Sequence, residues 1–331
     1  MGTSSPPVSV VIAARDAAAT LGEQLRAVCP QVVAVGGEVL VADNGSRDAT
    51  RDVAEEAGRR WPGVRVVDAS SGRGPGGARN IGVELAGASL VAFCDADDVV
   101  ATGWLEAMLA SERVGSLRAG RLDDSRFPGG QSWLQQADGL MHNPLMPGLW
   151  CAGAGNMAVG REAFLAIGGF CEELRAGEDV DLCWRAQLAG VEMHSVPDAV
   201  VYVRHRVTLR GIYRQMYGWG TGSAVLEERY AELRAAGLGA APDQPSADGP
   251  PTQVGRRASV RRAARGSVRR TARLATAAGR ADLASALGER RGRARGTFGA
   301  EVPRLSLDDV ERARRRVGAL GEAGGHGDRA T

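Results

Sequence analysis

No lysine occurs in this 331-residue chain; every cation of the Lys/Arg class is an arginine. That absence removes whole classes of chemistry. There is no Walker lysine for a P-loop enzyme, no Schiff-base lysine for a pyridoxal enzyme and no strand lysine for a protein kinase. Cysteine is sparse: Cys29, Cys94, Cys151, Cys171 and Cys183 form no Cys-x-x-Cys pair and have no histidine at metal spacing, which argues against zinc. Apolar runs are short, and none approaches the ~18 residues that a membrane-spanning helix needs. The first seven residues lack the basic and apolar regions of a secretory signal. With an odd cysteine count, this predicts a reducing, cytoplasmic setting. Net charge is only +2, so no overall field points to nucleic acid, although arginines crowd residues 256–316.

What is present reads as an α/β chain of ordinary globular composition. Residues 8–13 are a β-branched run suited to a central strand, followed by a helix over 17–28. A second strand over 38–42 ends in Asp43-Asn44-Gly45-Ser46, where Ser46 or Asp48 can cap a helix over 49–60. A third strand over 64–68 leads into the glycine-rich stretch 72–77 and a helix over 78–86; a fourth strand follows over 89–94. This alternation predicts a mainly parallel sheet flanked by helices, with acids gathered at the carboxyl ends of strands two and four. Further on, helices are expected near 103–111, after Arg161, from Glu178 and over 209–233, the last broken at Gly218 to Gly222; strands are expected near 114–121 and 200–203. A Pro/Gly/Asp/Ser-rich linker over 240–255 separates a domain of residues 1–239 from a basic Ala/Arg-rich tail over 256–331.

The fourth strand breaks into Asp95-Ala96-Asp97-Asp98. Strand alternation would aim Asp95 and Asp97 to one face and Asp98 to the other. Hard oxygen ligands of this kind suit magnesium or manganese, particularly with substrate phosphates completing the shell. The alternative is a solvated acidic loop in which Asp98 caps a helix near 99–103.

In order along residues 8–217 stand the opening Val-Ser-Val-Val-Ile strand, Asp43-Asn44-Gly45-Ser46-Arg47-Asp48, Gly77-Ala78-Arg79-Asn80-Ile81-Gly82, Asp95-Ala96-Asp97-Asp98, Gly168-Gly169-Phe170, and Glu178-Asp179-Val180-Asp181-Leu182 with Arg185. Together they resemble the family 2 glycosyltransferases of the GT-A fold, a Rossmann-like α/β architecture. The resemblance implies an inverting transferase that moves a sugar from a nucleotide diphosphate donor to an acceptor hydroxyl, assisted by Mn2+ or Mg2+. On that reading residues 1–100 are the nucleotide-binding half of the domain and 101–239 the acceptor side; Ala13, Arg15, Asp43 and Asn44 line the nucleotide pocket, and Asp95 holds the ribose or a metal-bound water. Asp97 binds the metal, with His205 near it, while Arg79 and Arg206 approach the donor. Asp179 is the general base, oriented or raised in pKa by Glu178. Each assignment has a plainer counterpart. Asp43 also suits a turn, Arg79 a helix surface, His205 an exposed or structural role, and acids at 178–179 a helix's first turn. Trp150, Trp184 and Trp219 are expected in core packing before sugar stacking. The family commonly has Pro and Asn where this chain has Ala13 and Asp16, and a second Asp where it has Asn44.

Gly72, Gly74 and Gly77 also spell Gly-x-Gly-x-x-Gly after a strand, with Asp97 twenty residues beyond, so an NAD(P)-binding oxidoreductase is the competing enzyme. A phosphatase built on Asp95-x-Asp97 would normally enlist a lysine that this chain lacks, and a catalytically inactive GT-A scaffold would keep the fold without needing Asp179. The acceptor stays open between carbohydrate, lipid-linked and small-molecule classes, cell-envelope polysaccharide among them. Arginine-rich helices such as the stretch 256–262 would allow peripheral contact with anionic lipid on the inner face of a cell membrane.

Overall fold

Val10, Val11 and Ile12 have no solvent exposure, and the strand that carries them, β1 (Ser9–Ala14), lies inside the sheet between two parallel neighbours. The computed structural model describes residues 5–110, 115–127, 139–240, 276–296 and 302–324. From β1 the chain runs through α1 (Leu21–Ala34), β2 (Glu38–Asp43), α2 (Thr50–Arg60), β3 (Val64–Asp68), α3 (Gly74–Glu84) and β4 (Leu90–Cys94). The second half follows as β5 (Val99–Val100), α4 (Trp104–Ala110), β6 (Leu117–Asp123), β7 (Met141–His142), β8 (Trp150–Cys151), β9 (Asn156–Gly160), α5 (Arg161–Ala166), α6 (Glu178–Leu188), β10 (Met193–Tyr202), α7 (Leu209–Arg229) and α8 (Ala231–Ala235). Two helices close the chain, α9 (Ala277–Arg295) and α10 (Leu307–Gly324).

Eight strands form one mixed sheet in the order β3-β2-β1-β4-β9-β6-β10-β5, while β7 and β8 pair as a small hairpin. β1 to β4 are parallel and β9 runs antiparallel between β4 and β6. One apolar layer packs Val11, Phe93 and Met157 with Phe164 and Phe170; the other packs Val10, Ile12 and Cys94 with Leu21, Leu25 and Trp104. Helices therefore cover both faces, and the expected mainly parallel α/β sheet is what forms.

Several local expectations differ in instructive ways. α1 runs on to Ala34 through Pro30. Both Pro30 and Arg26, whose carbonyl loses its intrahelical donor, lie on the exposed face, where water can serve that carbonyl. The residues after Asp98 form β5, paired with Tyr202 and Val201, so Asp98 caps no helix. α7 is unbroken through Gly218 to Gly222 because two of its glycines allow close backbone approach: a Cβ at Gly220 would meet the Glu289 carbonyl, and one at Gly222 the Ala176 carbonyl.

The dinucleotide reading finds no support. The glycine motif follows β3, the edge strand, rather than a central one. A Cβ at Gly72 would lie 2.6 Å from the Gly77 carbonyl carbon, so these glycines pack the loop against its own helix. Beyond residue 239 the described chain packs onto the domain: Val302, Leu305 and Val310 are buried with Trp184, Tyr230 and Leu233, and α9 lies along α7. The arginines at 256–262 fall outside the described residues. No helix among those described is long and apolar enough to cross a membrane.

Candidate functional site

β4 ends at Cys94, and the four residues after it turn sharply, so the alternation expected for Asp95, Asp97 and Asp98 does not apply. All three carboxylates converge, with oxygens within 4.8 Å of one another. The turn is braced from below by Gln24, which the sequence does not single out: its Nε2 donates to the Asp95 carbonyl at 3.0 Å and its Oε1 accepts from the Val100 N–H at 3.0 Å. Behind Asp95 only a glycine fits, since a Cβ at Gly155 would come within 2.5 Å of Asp95 Oδ2. Burial, reinforced by Asp95, pushes the Asp97 carboxyl above its ordinary range against the opposing pull of Arg206. Burial, then the charges of Asp95 and Asp97, push Asp98 to about 8. Crowded carboxylates that resist ionisation are a set that a hard divalent cation would relieve, and the donor chemistry fits Mn2+ or Mg2+.

Arg79 joins this cluster to the next motif. It is buried on α3 rather than at a helix surface; its Nη2 pairs with Asp95 Oδ1 at 2.6 Å and its Nη1 with Glu178 Oε1 at 3.4 Å. Its guanidinium also lies 5.5 Å from the Phe170 ring centre. Asn80 fixes the adjoining backbone by donating to the Phe170 carbonyl at 2.9 Å and accepting from the Phe170 N–H at 2.8 Å. Glu178 and Asp179 open α6 after Gly177, which takes the left-handed conformation at φ 80°. Burial and the neighbouring Asp179 raise Glu178 to about 7, against the pull of Arg79. Burial likewise raises Asp179, against the Val180 N–H that its carboxylate accepts and the Arg79 charge.

Asp181 and Arg185, from the same motif, serve the fold beneath. Asp181 accepts from Arg185 Nε at 2.7 Å, Arg229 Nε at 2.7 Å and the Tyr230 hydroxyl at 2.9 Å; Arg229 and Tyr230 are buried and Arg185 is partly so. Burial alone would lift this carboxyl; the two arginines outweigh it and hold the pKa low.

At the carboxyl ends of β1 to β3 a groove of about 550 Å³ is lined by Arg15, Asn44, Gly45, Ser70 and Arg73. Asp43 is buried beside it and accepts from the Ser46 N–H at 3.0 Å and Arg51 Nε at 3.2 Å. Asn44 donates to the Ala69 carbonyl at 2.7 Å and the Gly72 carbonyl at 2.8 Å, tying the second strand's loop to the third's. Asp16 stands at φ 48°, a conformation Asp tolerates, and accepts from the Arg47 N–H at 2.7 Å. Ala13 is half-buried on β1.

After β10 the chain returns to the carboxylates. The Arg204 N–H donates to Asp98 Oδ1 at 2.8 Å, and Arg206 Nη2 pairs with Asp97 Oδ2 at 3.0 Å. His205 stands apart from the cluster: its Nε2 is buried without a hydrogen bond, 3.8 Å from Asp124 Oδ2, and burial lowers its pKa. Trp184 is core, edge-on to Tyr230; Trp150 is half-buried and stacks on His142 at 3.7 Å, and Trp219 is exposed.

Residues 9–112 match the family described as Glycosyl transferase family 2. The chain is 29% identical over 246 residues to the pre-mycofactocin glycosyltransferase of Mycobacterium tuberculosis, an alignment covering 71% of this chain and 50% of that protein. It is 26% identical over 205 residues to glycosyltransferase AglE of Haloferax volcanii, covering 60% of this chain and 67% of the relative. The mannosyltransferase PcManGT of Pyrobaculum calidifontis, solved with GDP-Man and Mn2+, superposes with a TM-score of 0.51 at 17% identity, covering 98% of this chain and 82% of that one. The chain thus spans about half the length of the mycobacterial relative, while the fold extends over nearly all of it. The family match over residues 9–112 and the named glycosyltransferase relatives support a family 2 glycosyltransferase, and the architecture is that of the GT-A fold.

Proposed function

We propose that the chain transfers a sugar from a nucleotide diphosphate donor to an acceptor hydroxyl in a single displacement with inversion, with Asp179 as the general base. The observation that carries this reading is Arg79, whose one guanidinium holds Asp95 of the carboxylate cluster and Glu178 beside Asp179. A leaving-group end and a base end thereby meet in one site. The groove lined by Arg15 and Asn44, with Asp43 and Ala13 on the strands that lead to it, would take the nucleotide; the GDP-Man bound by PcManGT supports a donor of that class. Asp95, Asp97 and Asp98 would hold the cation; His205, set against Asp124, is not among these ligands. Bound there, a divalent cation supplies neutralisation of the departing diphosphate.

The chain's own groups do the rest. Asp179 accepts the proton of the acceptor hydroxyl as its oxygen forms the bond to the anomeric carbon, and the electron pair of the breaking bond leaves on the diphosphate oxygen. A carboxylate raised by burial is a stronger base than one in water, which suits this role. Glu178, raised to about 7 by burial and Asp179, pairs with Arg79 and keeps that guanidinium in place. Arg206 supplies positive charge at the mouth of the site.

Thermal stabilisation by a panel of nucleotide diphosphates and their sugars, with and without Mn2+ and with NAD as control, tests the donor. A Mn2+-dependent shift with one nucleotide is expected. Asp179→Asn should keep that shift while turnover of the matching donor falls about 10²- to 10⁴-fold. A shift with NAD alone, or unchanged turnover in Asp179→Asn, refutes the reading.

A further inference from the structure

Two arginines of one short segment touch the carboxylate cluster, and they are held very differently. Arg204 is pinned on several sides: its N–H donates to Asp98, its Nε to the Asp97 carbonyl at 3.0 Å, its Nη2 pairs with Glu23 at 2.7 Å, and its guanidinium lies 3.9 Å from the Phe127 ring centre. Arg206 has a single polar contact, Nη2 to Asp97 Oδ2 at 3.0 Å, and its side chain is 54% exposed. The chain around it, between β10 and α7, is open, with Val207 66% exposed. Among the described residues, Arg204 is anchored by several contacts and Arg206 by one.

We infer, on the transferase reading above, that Arg206 is a stand-in cation. It neutralises Asp97 while no metal is bound, yields that oxygen when a divalent ion arrives, and is thereby released toward the donor's diphosphate. An exposed ion pair is weak and readily exchanged, whereas a doubly charged ion on three converging carboxylates is not. The same guanidinium therefore opposes the metal when the site is empty of donor and assists the donor once the metal is in place. Metal and nucleotide become thermodynamically coupled through one side chain.

A role limited to donor contact predicts no effect on metal binding alone, and this separates the two ideas. The test is Mn2+ binding to the full chain without nucleotide, followed by UDP and GDP binding at saturating Mn2+, in wild type, Arg206→Gln and Asp97→Ala. Arg206→Gln should bind Mn2+ about two- to fivefold more tightly than wild type, the gain expected from deleting an exposed ion pair. It should bind the preferred nucleoside diphosphate about tenfold more weakly, as for loss of a charge-assisted hydrogen bond. The metal effect should shrink at high salt, where an exposed pair is screened. Equal or weaker Mn2+ binding by Arg206→Gln overturns the stand-in role and leaves the transferase reading intact, provided Asp97→Ala abolishes Mn2+ binding. Mn2+ binding unchanged in Asp97→Ala overturns both.

Discussion

Asp181→Asn tests whether α6, and with it Asp179, is held by a buried charge network. Asp181 has no exposed surface and receives Arg185, Arg229 and Tyr230. Removing one partner of a buried ion pair costs about 3–5 kcal/mol, because the remaining charge is left unbalanced. Here the remaining guanidinia keep other acceptors: Arg185 donates to the Ile167 and Gly169 carbonyls at 2.6 Å each, and Arg229 to the Pro303 carbonyl. Asparagine also retains one oxygen. The lower end, about 3 kcal/mol, is therefore expected, which for a chain of this size lowers Tm by roughly 4–5 °C. Urea unfolding followed by circular dichroism measures it. The pH dependence supplies a second check. Because the folded pKa of Asp181 is depressed, its contribution is complete above the unfolded carboxylate value near ~3.9 and is lost only as pH falls through the lower folded value. The gap between wild type and variant should be the same at pH 5 and pH 7 and close only in stronger acid. A gap below about 0.5 kcal/mol at pH 7, the range of ordinary surface substitutions, would refute the argument.

Glu178 carries the opposite sign. Its folded pKa of about 7 lies above the unfolded value, so wild type should lose stability relative to Glu178→Gln as pH rises toward 7. The limiting slope is about 1.4 kcal/mol per pH unit, and a flat difference between pH 5 and 8 would contradict it. At the other end of the molecule, Gly292→Val places a side chain against the Tyr217 carbonyl, where α9 lies along α7. Hydrogen exchange should then show α9 amides losing protection while those of β1 and β4 keep theirs; retained protection of α9 would show that the glycine contact is dispensable.

Short-range pattern made much of the fold legible. The apolar runs at β1, β2 and β4 and the alternation with helices specify a mainly parallel sheet, because periodicity and turn chemistry act over a few residues. The ordered motifs located the carboxylate turn and the acids of α6. What pattern could not supply was pairing across the chain. Arg79 reads as a donor contact or a helix-surface residue until Asp95 and Glu178, sixteen and 99 positions away, are seen to close on it. Gln24 reads as one polar residue of an amphipathic helix, yet it braces a turn 71 residues later. Asp98 was misdirected by carrying strand alternation past the last strand residue. At Gly218 to Gly222 the error was to treat glycine as a helix breaker where close backbone approach stabilises the helix instead.

The C-terminal segment bears on where the molecule can be divided. The compositional boundary after Gly239 falls where a truncated protein would naturally be ended, but Leu305 donates its N–H to the Arg229 carbonyl and Arg229 returns a bond to Pro303. Val302, Leu305 and Val310 fill the space against Tyr230 and Leu233. A chain ended at 239 would leave that apolar surface open and strip Arg229, one of the two arginines balancing Asp181, of its carbonyl partner. The segment near 302–310 thus shares its buried contacts with the network that holds α6, and a truncation at 239 would expose both.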